Sequence, residues 1–275
     1  GRDDIDQLID LGRKIPREEA CEKVRRAFDK EVRRLGQLDP GSQEYAVGRQ
    51  YVDLLLSLPW TSTKSVVDLP SVRESLRATH YGLEEVKERV VEICAMEKIS
   101  PDFSRQVRPL LLVGPPGCGK TTIARSIAQA LRKSFEMVSL GGLSDAGELK
   151  GHRRTYIGSQ SGKIVNALIS SGSRNPVILL DEIEKLGGGA SAVGGAGMGD
   201  PASALLDALD AANGFTDNFI GSEIPIDLSG VLFIATANIF ENIPPALANR
   251  FDVVRIAGFV RKEQVRIARE YVIPE

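Results

Sequence analysis

Apolar residues in the first part of the chain recur three to four positions apart, with Lys, Arg and Glu between them. This spacing places the apolar residues on one face of a helix. One such stripe comprises Ala20, Val24, Ala27, Phe28, Val32 and Leu35, and a second comprises Val47, Tyr51, Leu54, Leu55 and Leu58. The turn-forming sequence DPGS, residues 39–42, separates the two stripes. The pattern predicts a helical N-terminal segment over residues 1–58.

A stretch bracketed by two prolines follows these helices. Pro59 and Pro70 flank it, and it contains the chain's single tryptophan, Trp60. Because the residue before a proline is biased toward extended backbone, we predict an extended linker here. We count residues 59–79 as the linker and expect Trp60 to be a packing anchor.

From residue 80 onward, short apolar runs alternate with helical patterns. Val86, Val90 and Ile93 mark the first of these helices. The apolar runs are Leu110–Val113, Phe135–Leu140, Val177–Asp181, Val231–Ala237 and a fifth near Val253. Buried strands that alternate with helices indicate an α/β fold with a parallel five-stranded sheet. We assign residues 80–258 to this domain, and residues 259–275 to the beginning of a helical lid that is cut short.

Composition narrows the class of protein. The 275 residues are 42% hydrophobic and 26% charged, with a net charge of -2. The charge gives no general reason to bind nucleic acid, and no apolar run is long enough to span a membrane. Cys21, Cys94 and Cys118 form neither a disulfide framework nor a metal-binding spacing, which favours a reducing compartment. Because the first residue is Gly1, we expect a piece of a longer polypeptide.

The strongest chemical signal is GPPGCGKT, Gly114–Thr121, between the first predicted strand and its helix. It matches G-x-x-x-x-G-K-[ST], in which backbone N–H groups and a helix N-terminus face phosphate groups. Lys120 would neutralise the β- and γ-phosphates of ATP, and the Thr121 hydroxyl would bind Mg²⁺. The residues expected to bind nucleotide are Pro116, Gly117, Cys118, Gly119, Lys120, Thr121 and Thr122. For the Cys118 side chain, space-filling is a safer interpretation than a redox switch.

Two acidic residues stand at the end of the third predicted strand. Asp181 is suited to hold Mg²⁺ through its waters, and Glu182 is placed to orient or deprotonate an attacking water. Metabolite kinases rarely need the second carboxylate, whereas a hydrolase does. The pair therefore favours hydrolysis of ATP.

Two further polar residues complete the candidate catalytic set. Asn238 follows the fourth predicted strand, where its amide would contact the γ-phosphate or the water. Arg250, in LANRFD, is predicted to be an arginine finger, a group that contributes large rate factors in nucleotide hydrolysis. If Arg250 acts on a neighbouring subunit, the nucleotide lies between subunits and a ring follows.

This order of residues resembles that of AAA+ ATPases, and longer strings resemble the Lon protease family. The strings are SLPW, HYGLEEVKERV, GHRRTYIG and GDPASALLD. The resemblance runs from about Val52 to the end of the chain, and the preceding helices fit the last part of a Lon N-terminal region. It implies a three-layer P-loop NTPase of AAA+ type, and hexameric rings that unfold damaged or regulatory proteins. The unfolded proteins would be threaded into a serine–lysine peptidase domain.

The resemblance also implies roles for particular residues. His80, Tyr81 and Gly82 would line the adenine pocket. In an AAA+ ring the segment between the second strand and the next helix points into the central channel. Tyr156 and Ile157 would there grip an unfolded chain of any sequence, because bulky apolar contacts need no directed hydrogen bonds. A location in the cytoplasm or the mitochondrial matrix is expected.

The chain departs from the Lon pattern at three places. A Gly-rich insert occupies residues 187–199, Gln160-Ser161 replaces a usual Met-Pro, and the NRFD string around Arg250 is nearer to generic AAA+ proteins. The chain also ends before the family's second arginine sensor and its peptidase domain, so we expect no peptide cleavage by this chain alone.

Two other classes of function stay open at this point. One is an AAA+ remodeller of nucleic acid or protein assemblies that has no peptidase partner, although the charge and the Lon strings argue against binding to nucleic acid. The other is an assembly module that binds nucleotide without hydrolysing it. A mere binder needs none of Glu182, Asn238 and Arg250, so their presence favours an ATPase.

Overall fold

The computed structural model describes residues 2–17, 21–63, 68–99, 107–143, 145–155, 158–187, 199–210, 214–259, 261–267 and 269. The helices are α1 (Arg2–Gly12), α2 (Glu22–Leu35), α3 (Gln43–Ser57), α4 (Leu69–Thr79), α5 (Glu84–Ile99), α6 (Lys120–Ala130), α7 (Gly147–Lys150), α8 (Lys163–Ser171), α9 (Pro201–Leu209), α10 (Pro245–Ala248) and α11 (Arg261–Ile267). The strands are β1 (Leu110–Val113), β2 (Phe135–Ser139), β3 (Val177–Asp181), β4 (Leu232–Ala237) and β5 (Asp252–Arg255). Among the described residues, no helix is both long and apolar enough to cross a membrane.

The five strands form one parallel sheet in the order β2-β3-β4-β1-β5. Their bounds agree with the apolar runs of the sequence to within one residue, and the predicted α/β fold class is confirmed. All five carboxyl ends lie at the same edge of the sheet. In open parallel sheets, ligands bind at this edge.

The central strands β3, β4 and β1 are buried on both faces, and their successive residues point to opposite sides of the sheet. Leu111, Ile178 and Phe233 face one hydrophobic cluster, and Leu110, Leu179 and Ile234 face the other. The second cluster is closed by α4, α5 and α6. This double burial explains why β1, β3 and β4 are nearly continuous apolar runs rather than alternating ones.

The N-terminal helices belong to the first of these clusters. Phe28, Tyr51 and Leu55 are buried in it together with residues of β1, β3 and β4. Gly48 lets α2 approach α3, because a Cβ at this position would lie 2.8 Å from a methyl carbon of Leu35. The described helices α1, α2 and α3 are therefore packed on the sheet domain through a shared core.

The region counted as a linker contains a helix that the sequence interpretation missed. Asp68 accepts a hydrogen bond from the Ser71 N–H and caps α4, and Pro70 lies in the first turn. A proline is tolerated there because the first-turn N–H groups have no partner within the helix. Pro70 thus lies inside the beginning of a helix, while Trp60 packs against the first cluster as a partly buried anchor.

Candidate nucleotide site

The loop from Gly114 to Gly119 connects β1 to α6, and its glycines are needed for different reasons. At Gly114 a Cβ would lie 2.5 Å from the Ile256 carbonyl oxygen, so the close approach of the chain beyond β5 requires glycine. Gly117 and Gly119 have φ of 78° and 89°, which side chains strongly disfavour. Both have open space beside them. The loop therefore exposes its backbone at the N-terminus of α6, as binding of phosphate requires.

Lys120 joins this loop to the end of β4. Its ammonium group donates to the carbonyl oxygens of Gly114 at 2.6 Å and Pro115 at 2.9 Å, and to Asn238 Oδ1 at 3.0 Å. Cys118 is only 3% exposed, and its sulfur lies close to Gly114, as a space-filling side chain would. The loop's cation is thus placed beside the polar residue that follows the fourth strand.

Asp181 and Glu182 are fixed by one hydroxyl group on the neighbouring strand. Thr236 Oγ1 donates to Asp181 Oδ1 at 2.5 Å and accepts from the Glu182 N–H at 3.1 Å. Glu182 has a φ of 60°, an uncommon conformation for a non-glycine residue. A Cβ at Gly141 would lie 2.6 Å from Glu182 Oε2, so glycine makes room for this carboxylate.

Asn238 is held by a second acid, Glu184, which is 5% exposed. Glu184 Oε1 accepts from both the backbone N–H and the side-chain Nδ2 of Asn238, each at 3.0 Å. This orients the amide so that its oxygen faces the Lys120 ammonium. Within the described part of the chain, Glu184 Oε2 has no hydrogen-bond partner.

Sequence reasoning missed Glu184 and Thr236. Each is hydrogen-bonded to a residue that lies 54 or 55 positions away along the sequence. One signal was present for Thr236, a hydroxyl in an otherwise apolar strand, where a buried polar group needs a partner. For Glu184, the only signal in the sequence was its position two residues after Glu182.

Arg250 lies apart from this cluster. It follows α10, and its backbone N–H donates to the Leu247 carbonyl oxygen at 2.9 Å. Its side chain is exposed and makes no hydrogen bond or ion pair with the described residues. Arg250 is accessible to another molecule.

His80 is buried between α4, α5 and α6. Thr79 Oγ1 donates to the Ser75 carbonyl oxygen, so the 2.8 Å contact between Thr79 Oγ1 and His80 Nδ1 requires the imidazole to donate. Nε2 is then an acceptor, and no described residue bonds to it. Burial, followed by the charge of Lys87, lowers the pKa of His80 and favours the neutral ring. His80 lines a small pocket together with Ile123 of α6.

The two residues after His80 turn the chain toward α5. Gly82 adopts a φ of 62°. The Tyr81 ring lies under the guanidinium group of Arg266, 5.1 Å from the ring centroid. The segment is thereby in contact with α11, the first helix beyond the sheet.

The loop predicted to grip substrate lies between α7 and α8. Tyr156 and Ile157 lie outside the described residues, but both sides of the loop are described. The His152 N–H donates to the Gln160 carbonyl oxygen at 3.0 Å, which closes the neck of the loop. Gly151 and Gly158, which lie on either side of the gripping pair, have φ of 76° and 77°.

Asp217, which is fully buried, anchors this neck. Its carboxylate accepts from the N–H groups of Gly162 at 2.7 Å, Phe219 at 2.8 Å and Ile220 at 3.1 Å. Burial raises its pKa, and these three backbone hydrogen bonds oppose the rise. Asn218 holds the other side of the neck, with Nδ2 donating to the Gly151 carbonyl oxygen at 3.0 Å.

Comparison with known proteins agrees with this geometry. The model of the ATPase family associated with various cellular activities (AAA) matches residues 110–259, more than half of the chain. The chain is 44% identical over 257 residues to Lon protease 1 of Syntrophotalea carbinolica, covering 92% of this chain and 30% of that protein. It is 42% identical over 271 residues to Lon protease of Dictyoglomus thermophilum, covering 98% and 33%.

A mitochondrial Lon protease homolog of Phaeodactylum tricornutum is 44% identical over 279 residues, covering all of this chain and 30% of that protein. The chain thus spans about a third of the length of these curated relatives. The resemblance read from the P-loop, Asp181-Glu182 and the longer strings is confirmed. The chain belongs to the AAA family of ATPases and is a Lon-type AAA+ module.

Proposed function

We propose that the chain is the ATP-hydrolysing unfoldase and translocase module of a Lon-type ATP-dependent serine protease. It works in a hexameric ring that threads unfolded or damaged proteins toward a peptidase domain of the same full-length polypeptide. The observation that carries the proposal is a continuous series of hydrogen bonds at the carboxyl edge of the sheet. It runs from Lys120 to Asn238 and on to Glu184, beside Asp181 and Glu182. A module that only binds nucleotide needs no such arrangement.

Each residue has a distinct task in hydrolysis. Lys120 neutralises phosphate charge, and the backbone N–H groups of the loop bind the phosphate oxygens. Glu182 accepts a proton from the attacking water, and Asn238 orients that water or the γ-phosphate. The bond from Thr236 fixes the backbone of Glu182, and the bond to Glu184 orients the Asn238 amide, before substrate arrives.

Thr121 and Asp181 would hold Mg²⁺. Their hydroxyl and carboxylate oxygens are the donors that this cation prefers, and Asp181 uses one oxygen for Thr236, which leaves the other free to act. The bound cation would neutralise charge on the phosphate oxygens. His80 Nε2, a buried acceptor, suits the exocyclic amine of adenine, and Tyr81 and Gly82 would complete that pocket.

Arg250 is assigned to the nucleotide of the neighbouring subunit, since its side chain is exposed. Arg250→Ala is expected to bind ATP normally and to hydrolyse it poorly. When Arg250→Ala and Glu182→Gln subunits are mixed, ATP hydrolysis is expected to recover at those interfaces where an intact Arg250 of one subunit faces an intact Glu182 of the next. No recovery at any ratio, with co-assembly verified, would contradict an arginine supplied from a neighbour.

Tyr156 and Ile157 are assigned to gripping the substrate. In the full-length protein, Tyr156→Ala is expected to fold and to cleave short unstructured peptides, but to lose ATP-dependent degradation of a folded protein. A fall in unfolding free energy of several kcal/mol, as for an excised core aromatic, would show a structural residue instead. Unchanged degradation of the folded protein would overturn the threading function.

A further inference from the structure

Arg154 bridges the substrate loop and the N-terminal helices. Its guanidinium group lies over the Tyr51 ring of α3, 3.8 Å from the centroid, and Nη1 is 3.6 Å from Glu31 Oε2 of α2. A planar cation that stacks on a ring and faces a carboxylate is held in one orientation. Arg154 lies two residues before Tyr156, so this contact fixes the chain next to the gripping pair.

Tyr51 carries the contact onward to the anchor of the loop neck. It is 2% exposed, and its hydroxyl donates to the Ile220 carbonyl oxygen at 3.1 Å. Burial raises the pKa of Tyr51 to about 12, so the phenol stays protonated as a donor. The Ile220 N–H in turn donates to Asp217, whose carboxylate also accepts from Gly162. Both sides of the loop neck are therefore connected to the same α3 side chain.

The surroundings of Glu31 allow Arg154 to move away without leaving the Glu31 carboxylate unpaired. The residue is 8% exposed, and a buried carboxylate without a cation is strongly disfavoured. Its other oxygen, Oε1, is 3.3 Å from Arg34 Nη1 on the same helix. Arg34 can compensate the carboxylate when Arg154 leaves, so the contact is separable.

We propose that Glu31, Tyr51 and Arg154 form a latch that couples the N-terminal helices to the substrate loop. A displacement of α2 and α3, such as one caused by a protein bound to the N-terminal region, changes how rigidly the loop is held. Conversely, a pull on the loop by a translocating chain reaches α3 through Arg154. The inference rests on the proposed role of Tyr156 and Ile157 in gripping substrate.

The test compares Arg154 with its neighbour. Arg153 is exposed, and its side chain makes no hydrogen bond or ion pair with described residues, so Arg153→Ala is a matched control for lost charge in the loop. The measurement, on the full-length protein, is the number of ATP molecules hydrolysed per folded substrate molecule degraded. We expect Arg154→Ala to raise this ratio at least about fivefold over Arg153→Ala.

Two more variants separate coupling from simple bracing. Arg154→Lys keeps the charge but loses the planar stack, and is expected to give an intermediate ratio. Glu31→Gln combined with Arg154→Ala should raise the ratio no further than Arg154→Ala alone, because both break the same contact. If Arg154→Ala matches Arg153→Ala, or if the two changes multiply, the latch is wrong.

The proposed function is tested separately by Tyr156→Ala. If Tyr156→Ala abolishes degradation of the folded substrate while Arg154→Ala does not change the ratio, the gripping role stands and only the latch fails. If Tyr156→Ala leaves degradation unchanged, the gripping role fails and the latch fails with it. If Arg154→Ala does not fold, the ratio for Arg154→Lys is compared with that for Arg153→Ala instead.

Discussion

The nucleotide edge and the neck of the substrate loop are both held by acidic side chains, but these acids bond to different partners. At the nucleotide edge, Glu184 and Asp181 accept hydrogen bonds from the side chains of Asn238 and Thr236. At the loop neck, the donors to Asp217 among the described residues are all backbone N–H groups. The first arrangement depends on the identity of each side chain, while the second fixes the path of the backbone. Catalysis needs oriented groups, whereas a loop needs a fixed base.

The largest expected effect is at the nucleotide edge itself. Glu182→Gln keeps the shape of the side chain and removes the base, so it is expected to bind ATP and to lose at least about 100-fold in hydrolysis rate. Lys120→Ala is expected to weaken ATP binding by about 1.5–3 kcal/mol, because it removes a charged hydrogen-bond donor. Equal losses of ATP affinity in both variants, measured by titration, would refute this division of roles.

Glu184 tests whether side-chain identity matters one step away from the nucleotide. Glu184→Ala should free Asn238 and lower kcat by about 10-fold or more, with KM much less affected, since Glu184 lies behind Asn238. Glu184→Gln keeps the Oε1 acceptor, and Oε2 has no described partner to lose, so kcat should fall by less than about twofold. A merely structural acid would lower the melting temperature in both variants and leave the ratio of kcat to KM unchanged.

Asp217 tests the backbone side of the comparison. Asp217→Asn places an amide NH₂ against an N–H donor, and is expected to destabilise the fold by about 1–3 kcal/mol. Asp227→Asn, at an exposed acid in the same segment, serves as the control. Chemical denaturation measures the difference, and hydrogen exchange at the Gly162 amide should rise only in Asp217→Asn. Equal unfolding free energies would show that the anchor adds nothing.

The smallest expected effect is at His80, whose Nε2 has no hydrogen-bond partner among the described residues. Its folded pKa lies below the ordinary value of 6.5, so the unfolded chain takes up the proton first as the pH falls. The associated stability is present above pH 6.5 and is lost below it, down to the folded pKa.

His80→Gln is accordingly expected to reduce the loss of unfolding free energy between pH 7.5 and 5.5. Parallel curves for wild type and His80→Gln would contradict the assignment.

Much of the fold followed from the sequence because the central strands of the sheet are buried on both faces. Apolar runs such as Val177–Asp181 end where burial ends, so their bounds could be predicted closely. Helix α4 could not, since Pro70 reads as a break, and only the capping bond from Asp68 shows that it begins a helix. The P-loop and Asp181-Glu182 are local patterns and were found.

The supporting residues of the site were not found, for a physical reason. Glu184, Thr236 and Asp217 act through bonds to distant parts of the chain, and spacing along a sequence carries no information about such pairs. Their common sign is burial of a polar group, which becomes visible only when the neighbouring strands are in place.

The strand order has a consequence for biosynthesis. β1 leads into the nucleotide loop, yet its two neighbours in the sheet are β4 and β5, so Leu110 pairs with Ile234 and Asp252. A ribosome makes the loop long before it makes either neighbour. Until β4 has been synthesised, Lys120 lacks its partner Asn238, and both edges of β1 are unpaired. The complete sheet that positions the nucleotide loop can therefore form only after β5, the last strand in the sequence, has been synthesised.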